Sequence, residues 1–335
     1  MPSEKHQIHN MKIFLTGSTG YIGNRIMHVL LEQGHEVHTL VRNPAKSHHV
    51  EKPGVKAFAG DLSNTDAIER AMEGCSQAYH SAALARLWSA DIRPFIETNV
   101  DGTRHVMEAA ARQGIQSVVF TSSASVLGPY QGKPLDENDH SHDGFENDYA
   151  KTKYMAEEIV RSYASETMKT SIVIPTRVYG AGLMTHSNAI SRMLEGFLKR
   201  NTSFVPACLD VVANYCYVED VVQGHLQAME KGSNGERYIL GGENVSYRDF
   251  YAAVAEHSGK SNLVKVPLWV MKAAGYVNLA GYHLFKKDPP FTPDIIGRFF
   301  SSRFVSSAKA EKDLGYQITP FREGIGVTIR QILSK

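Results

Sequence analysis

Short apolar runs alternate along the chain with longer stretches whose apolar residues recur at helical spacing. Residues 12–17 (Lys-Ile-Phe-Leu-Thr-Gly) form a compact apolar run that stops at glycine, which predicts a buried strand. Residues 21–33 carry Ile22, Ile26, Val29 and Leu30 on one side, the spacing of a helix face. The same reading predicts strands at 36–41, 55–59, 77–82, 117–121 and 171–174. It predicts helices at 66–72, 91–112 and 148–166. Regular alternation of strand and helix predicts an α/β fold: a doubly wound parallel sheet with helices on both faces.

The rhythm weakens after Gly180. A further strand–helix unit is expected at 214–230 and a strand at 237–240. Ser246 followed by Asp249 resembles a capping box for a helix over 250–257. The expected organisation is a loose polar tail at 1–10, a main α/β domain at 11–180 and a smaller lobe at 181–335. Segments near 214–241 are expected to return to the main domain. Residues 268–285 are mostly apolar, with Lys272 inside and Lys286-Lys287 after. A membrane-surface or lipid-substrate element is the sharper reading. Gly275, Asn278, Gly281 and His283 interrupt the run, and a span needs ~20 apolar residues, so an amphipathic helix of the smaller lobe is expected.

Composition changes this picture little. The 335 residues are 42% hydrophobic and 21% charged with net charge +1, which argues against a nucleic-acid surface. Cys75, Cys208 and Cys216 have no framework or metal spacing, and no signal-peptide pattern is visible; a cytoplasmic protein is expected. His140 and His142 lie in a polar loop without neighbouring ligands, so no metal is expected.

Chemistry enters with Gly17-Ser18-Thr19-Gly20-Tyr21-Ile22-Gly23, which follows the first strand and opens the first helix. Glycines at this spacing permit a tight turn, a close approach of backbone to a pyrophosphate and free N–H groups at the helix start. An acidic residue ending the second strand would bind the ribose of NAD. This chain has Arg42 there, with Lys46 following, cations suited to the 2′-phosphate of NADP, so NADPH is expected over NADH. Tyr149 and Lys153 stand four apart on a predicted helix, on one face. A nearby ammonium would hold the phenol's pKa down and bring it toward proton transfer. With 15 tyrosines in the chain, such a pair also arises by chance.

Other segments fall in a telling order. The glycine turn, Gly60-Asp61-Leu62, His80-Ser81-Ala82-Ala83, Asn99-Val100-Asp101-Gly102-Thr103, Phe120-Thr121-Ser122-Ser123, Tyr149-x-x-x-Lys153 and Pro175-Thr176-Arg177-Val178-Tyr179-Gly180 run as in the extended short-chain dehydrogenases/reductases. The chain resembles that family, part of the NAD-dependent epimerase/dehydratase superfamily, from Met11 to about Lys335. Val218–Val221, Gly235–Gly242 and Leu314-Gly315-Tyr316 look most like its dihydroflavonol-reductase-like branch. The resemblance implies that Asp61 and Leu62 flank the adenine, Ala82 and Ala83 line the cofactor channel, and Pro175, Arg177 and Val178 lie along the nicotinamide. It implies a catalytic set in which Tyr149 gives the proton. Ser123 binds the substrate oxygen, Lys153 supports both Tyr149 and the ribose, and Asn99 holds a water. A homodimer through main-domain helices is common in the family and stays open here.

The expected activity is therefore NADPH-dependent reduction of a ketone or aldehyde, a small-molecule carbonyl substrate. A nucleotide-sugar epimerase or dehydratase and a hydroxysteroid dehydrogenase are alternatives on the same scaffold; a non-catalytic sensor is disfavoured because Tyr149 and Lys153 are both present. Residues 212–218 offer no Arg to grip a sugar-nucleotide diphosphate, which counts against the epimerase. Leu84, Trp88, Val126, Leu127, Tyr179, Met184, Ile190, Met193 and Phe204 are the candidate substrate-lining residues, all apolar or aromatic.

Overall fold

A computed structural model describes residues 10–86, 88–141, 144–185, 188–200, 202–285, 289 and 291–334. The expected tail at 1–9, His142 and the Lys286-Lys287 pair lie outside the described residues, as does the side chain of Lys46.

Seven parallel strands make the main sheet. They are β1 (Lys12–Thr16), β2 (Glu36–Val41), β3 (Val55–Ala59), β4 (Gln77–His80), β5 (Ser117–Thr121), β6 (Lys169–Pro175) and β10 (Glu236–Leu240), ordered β10-β6-β5-β4-β1-β2-β3. The order reverses between β1 and β4, and in such sheets ligands sit beyond the carboxyl ends of the strands at that reversal. Near-continuous apolar runs make the central strands: Ile13, Phe14 and Leu15 are all buried, as are Val118, Val119 and Phe120. One face packs against α2 (Thr65–Met72), α4 (Gly102–Gln113) and α5 (Asp148–Ser162), burying Ile68, Met107 and Val160. The other packs against α1 (Tyr21–Glu32) and α7 (Val218–Lys231), burying Ile26, Leu30 and Val222. The doubly wound architecture expected from the alternation is the one found.

Two corrections concern the helices expected at 91–112 and 148–166. The first is divided into α3 (Arg93–Phe95), a π-helical turn at Ile96–Asp101, and α4. A π-turn inserts one residue into the helical ladder and re-aims a side chain, and this one holds Asn99. The second ends at Ser162, where the chain turns and Met168 N–H bonds to Ser165 Oγ at 3.1 Å.

A second, three-stranded sheet joins β7 (Arg177–Tyr179), β9 (Val212–Tyr217) and β11 (Glu243–Ser246). Of the segment expected to rejoin the main sheet, α7 and β10 do so, whereas β9 lies in this second sheet. Its apolar face meets α6 (Ala189–Arg200), α8 (Tyr247–Ser258) and α12 (Phe321–Leu333) around Leu194, Tyr215, Phe250 and Ile325. The expected cap of α8 is present: Ser246 Oγ accepts from Asp249 N–H at 3.1 Å. A third, two-stranded sheet pairs β8 (Ser203–Pro206) with β12 (Leu263–Val266), which leads into the 18-residue helix α9 (Leu268–Phe285) and on to α10 (Pro293–Arg298) and α11 (Ala308–Leu314). No described helix is long and apolar enough to cross a membrane.

Candidate active site

The glycine turn bends where β1 hands over to α1. Gly17 has φ 80°, and a Cβ there would lie 2.8 Å from the backbone nitrogen of Ala82. A Cβ on Gly23 would lie 2.3 Å from the Gly17 carbonyl oxygen. Both positions therefore exclude any side chain, so bare backbone faces outward from the turn. Tyr21, Ile22 and Gly23 supply first-turn N–H groups that have no intrahelical acceptor, as at any helix start. These residues fit a dinucleotide pyrophosphate. Ser18 and Tyr21 offer it backbone only. The Ser18 hydroxyl is buried 2.6 Å from Thr39 Oγ1, and the Tyr21 phenol donates to the Gly180 carbonyl at 2.9 Å. Thr19 lies half-buried in the turn itself.

Next to the turn, a buried relay of hydrogen bonds joins β1, β4 and the π-turn. Thr103 Oγ1 donates to the Asn99 carbonyl at 2.6 Å. Its proton is thereby committed, so the His80 Nε2–H, 3.0 Å away, is the donor to Thr103. His80 Nδ1 then accepts from the Thr16 hydroxyl at 2.7 Å, and Thr16 Oγ1 accepts from Ala82 N–H at 3.1 Å. This chain works only with neutral imidazole. Burial, with Lys153 adding its positive charge, pushes His80 down to about 3. The relay sets the backbone at Ala82 and half-buried Ala83, on the rim of the turn.

Asn99, buried in its π-turn, clamps the loop after β4. Leu84 N–H donates to its Oδ1 at 2.7 Å, while its Nδ2 donates to the Leu84 carbonyl at 3.3 Å and to Thr152 Oγ1 at 3.2 Å. Its side chain thereby ties the loop to α5.

Helix α5 starts at Asn147, whose Oδ1 accepts from Ala150 N–H at 2.7 Å. It carries Tyr149, Lys153 and Glu157 on one face, four apart. Tyr149 is hydrogen-bonded to Ser123. Ser123 Oγ also accepts from the Ser125 hydroxyl at 3.1 Å, while Ser122 turns the other way and donates to Glu157. Geometry thus separates three neighbouring serines and brings Ser123 to Tyr149.

Lys153 is 2% exposed. Its ammonium donates to the Thr121 carbonyl at 2.7 Å and sits 3.9 Å above the centre of the Phe120 ring. Burial pushes it down to about 7 against the pull of Glu157. The expectation that Lys153 holds the Tyr149 pKa down is not met. Burial raises the phenol above its ordinary value, and the Ser123 hydrogen bond is what acts against that rise. The reason is that the ammonium is directed to Thr121 and Phe120.

Sequence reasoning missed Glu157. It is buried, 3.1 Å from Arg237 Nε on β10, and its pKa is raised by burial against Arg237, Ser122 and Lys153. Its signal was present: a carboxylate one turn beyond Lys153 on the same face. Arg303 was also missed, and no local pattern could have found it. It reaches across the fold to the Ala124 carbonyl at 3.3 Å, the Gly128 carbonyl at 2.6 Å and Glu146 at 2.7 Å.

The remaining expectations divide. Arg42 is exposed just past the end of β2. Asp61 accepts from Ser63 N–H at 2.9 Å and from the Ser63 hydroxyl, bonds that hold its carboxyl below the usual range. That is a turn residue's geometry. The Leu62 side chain is packed in the core, where a Cβ on Gly102 would meet it at 2.8 Å. Pro175 ends β6, and Arg177 and Val178 open the second sheet, with Arg177 bonded to the Tyr247 hydroxyl at 3.4 Å. Among the substrate candidates, Leu84 and Trp88 are half-buried on the loop that Asn99 clamps, and Ile190 is half-buried on α6. Val126, Leu127 and Tyr179 are corrected to core residues, with no surface left for a ligand. Met184, Met193 and Phe204 are exposed, Phe204 to 73% on β8. His140 stacks on Tyr154 with ring centres 6.1 Å apart.

Known proteins resemble this chain in sequence and in fold. Similar sequences include a "Putative dihydroflavonol 4-reductase" of Synechocystis sp., 29% identical over 93% of this chain and 92% of that protein. Another is a 4-hydroxy-2-methyl-3-oxo-4-farnesyl-3,4-dihydroquinoline-1-oxide ketoreductase of Stigmatella aurantiaca, 29% identical over 91% of this chain and 92% of that one. The crystal structure of gox2253 superposes with a TM-score of 0.78 at 29% identity, covering 97% of this chain and 98% of that one. A UDP-glucose 4-epimerase of Thermotoga maritima shares the fold at 0.79 and 20% identity, covering 97% and 99%. The model of the NAD dependent epimerase/dehydratase family matches residues 13–241, from β1 through the glycine turn and Tyr149 to the end of β10. The chain belongs to that family and is an NAD(P)-dependent oxidoreductase.

Proposed function

We propose that the protein reduces an apolar ketone or aldehyde with NADPH. The observation that carries this reading is the placement of Tyr149, which stands one turn before Lys153 on α5 with Ser123 as its side-chain partner. A phenol is protonated at neutral pH and can donate to a carbonyl oxygen. The dinucleotide, when bound along the glycine turn, supplies the hydride. Tyr149 gives its proton to the substrate oxygen as negative charge grows there. Ser123, already within hydrogen-bonding reach of the phenol, donates to the same oxygen. Lys153, one turn along the same face of α5, has a balance near neutrality that lets it pass a proton on. Asn99 holds Leu84 and Thr152 in register, which keeps the substrate loop against α5.

An apolar substrate is supported by half-buried Leu84 and Trp88 beside this site. It also fits the farnesyl-bearing substrate in the name of the Stigmatella ketoreductase. A sugar-nucleotide diphosphate is disfavoured because Arg303, whose backbone N–H bonds the Val212 carbonyl on β9 at 2.9 Å, already serves Glu146 and two carbonyl oxygens. NADPH over NADH rests on Arg42, an exposed cation where NAD enzymes carry an acid. The test is oxidation of NADPH and NADH against a panel of lipophilic and polar carbonyls. Turnover of lipophilic ketones or aldehydes is expected, with kcat/KM for NADPH at least about tenfold above NADH and the gap closing in Arg42→Ala, a loss of ~1.4 kcal/mol or more. Equal use of both cofactors would remove the NADPH assignment. Tightly held NAD with UDP-sugar epimerisation would replace the reading altogether.

A further inference from the structure

Helix α9 inverts the usual rule for a surface helix. Its inner side is anchored: a Cβ on Gly275 would lie 2.8 Å from Ile296 Cδ1 and 2.9 Å from the Pro293 nitrogen, so the helix rests tightly on α10. Its outer side carries Trp269, Ala273, Tyr276, Ala280 and Leu284, three or four residues apart, one continuous stripe. Trp269 is 73% exposed, Tyr276 63% and Leu284 76%. Val277 and Phe285 widen the stripe, and β12, which feeds the helix, exposes Val264 opposite Phe204 in register on β8. Side chains this large, exposed together along five turns, mark a contact surface.

Charge selects what covers it. From His257 to Lys287 the sequence holds Lys260, Lys265, Lys272, Lys286 and Lys287 and neither Asp nor Glu. Lys265 and Lys272 are exposed beside the stripe. A second copy packed face to face through a two-fold axis would bring a second set of these lysines into the interface, with no carboxylate from this segment to receive them. A surface of anionic headgroups over acyl chains satisfies both halves of the pattern, aromatic and aliphatic side chains inward and ammonium groups among the headgroups.

We propose that α9, with the exposed edge of β8 and β12, docks the protein on an anionic lipid bilayer without crossing it. The same helix touches the substrate side of the enzyme. Tyr282 on its inner face meets Trp88 edge to face, ring centres 4.8 Å apart, and Trp88 lies on the loop that Asn99 clamps through Leu84. Docking would bring the mouth of that loop to the lipid surface, where an apolar carbonyl compound is concentrated. The docking itself does not depend on the carbonyl-reductase reading.

Flotation with phosphatidylcholine vesicles, with and without phosphatidylglycerol, tests this on the full chain. The protein is expected to float with anionic vesicles, with partitioning at least about tenfold above that on neutral ones. Trp269→Glu/Tyr276→Glu/Leu284→Glu is expected to abolish flotation with an unchanged thermal midpoint. Lys265→Glu/Lys272→Glu is expected to remove the anionic preference. Protein that stays at the bottom with both vesicle types overturns the proposal. So does a dimer, seen by light scattering, that the triple variant converts to monomer: the stripe would then be an interface between copies.

Discussion

Helices α5 and α9 break the same rule in opposite directions. α5 buries an ammonium, Lys153, and a carboxylate, Glu157, against the main sheet. α9 exposes tryptophan, tyrosine and leucine to solvent. In α5 every buried charge has a partner inside the chain: Thr121 and Phe120 for Lys153, Ser122 and Arg237 for Glu157. In α9 the outer stripe has its partner outside the chain. Local conflict with burial preference marks a functional surface in both cases. What differs is where the compensation lies, and each region can therefore be broken in its own way.

The largest effect is expected at Tyr149. Tyr149→Phe keeps the ring and its packing but removes the proton that reduction needs. A fall in kcat/KM of roughly 10²–10⁴ is expected, with the dissociation constant for NADPH unchanged. Wild-type turnover in this variant would exclude Tyr149 from the chemistry. Next comes Glu157. Glu157→Leu leaves Arg237 buried beside an apolar side chain and Ser122 without its acceptor. Breaking such a pair costs about 3–5 kcal/mol, read as a lowered urea midpoint. Glu157→Gln keeps an acceptor for Ser122 and should lose less. Equal stability of both variants and wild type would mean that α5 does not depend on its buried charges, and the contrast with α9 would fail.

How much of this could be read from the chain differs between the two helices. Tyr149 and Lys153 stand out because a helix places residues four apart on one face, a local rule. The central strands of the main sheet are equally legible, because they are buried on both faces and read as apolar runs, unlike the exposed edge strand β3. The orientation of the Lys153 ammonium is not legible. It depends on Thr121 and Phe120, more than thirty residues back, which β5 delivers beneath α5. The three small features that shape the substrate side, the π-turn at Asn99, the second sheet and the β8–β12 pair, are set by contacts distant in sequence. Residues 268–285 read as a helix correctly. They did not read as an exposed apolar one, because Gly275 fixes the inner face through α10, which periodicity cannot reveal.

Acid separates the two regions by a smaller amount. His80 and His225 are buried, at about 3 and about 4. Both lie below the value of ~6.5 expected in the unfolded chain. As pH falls below ~6.5 the unfolded chain takes up protons that the folded chain refuses, so stability is full above that value and declines toward pH 4. His225 accepts from the Thr121 hydroxyl at 2.9 Å through Nε2 and donates to the Val221 carbonyl at 2.7 Å through Nδ1, so it supports the residue that holds Lys153. In His225→Gln the slope of unfolding free energy between pH 6.5 and 4 should flatten by up to about 1.4 kcal/mol per pH unit. An unchanged slope would mean His225 already titrates in the folded chain.

The smallest effect is expected on the outer stripe of α9, and it tests the comparison most sharply. If that stripe were core in disguise, packed by a rearranged C-terminal segment, Trp269→Ser and Leu284→Ser would each cost several kcal/mol, as large-to-small changes in a core do. At 73% and 76% exposure, both side chains already face water in the folded chain. Their removal gives up little that folding had gained, and each change should stay within about 0.5 kcal/mol of wild type in urea. A stability loss as large as that of Glu157→Leu would mean the protein covers the stripe itself. A neutral result together with lost vesicle flotation would leave the bilayer as its partner, and the two helices as opposite solutions to one problem: where a misplaced side chain finds its match.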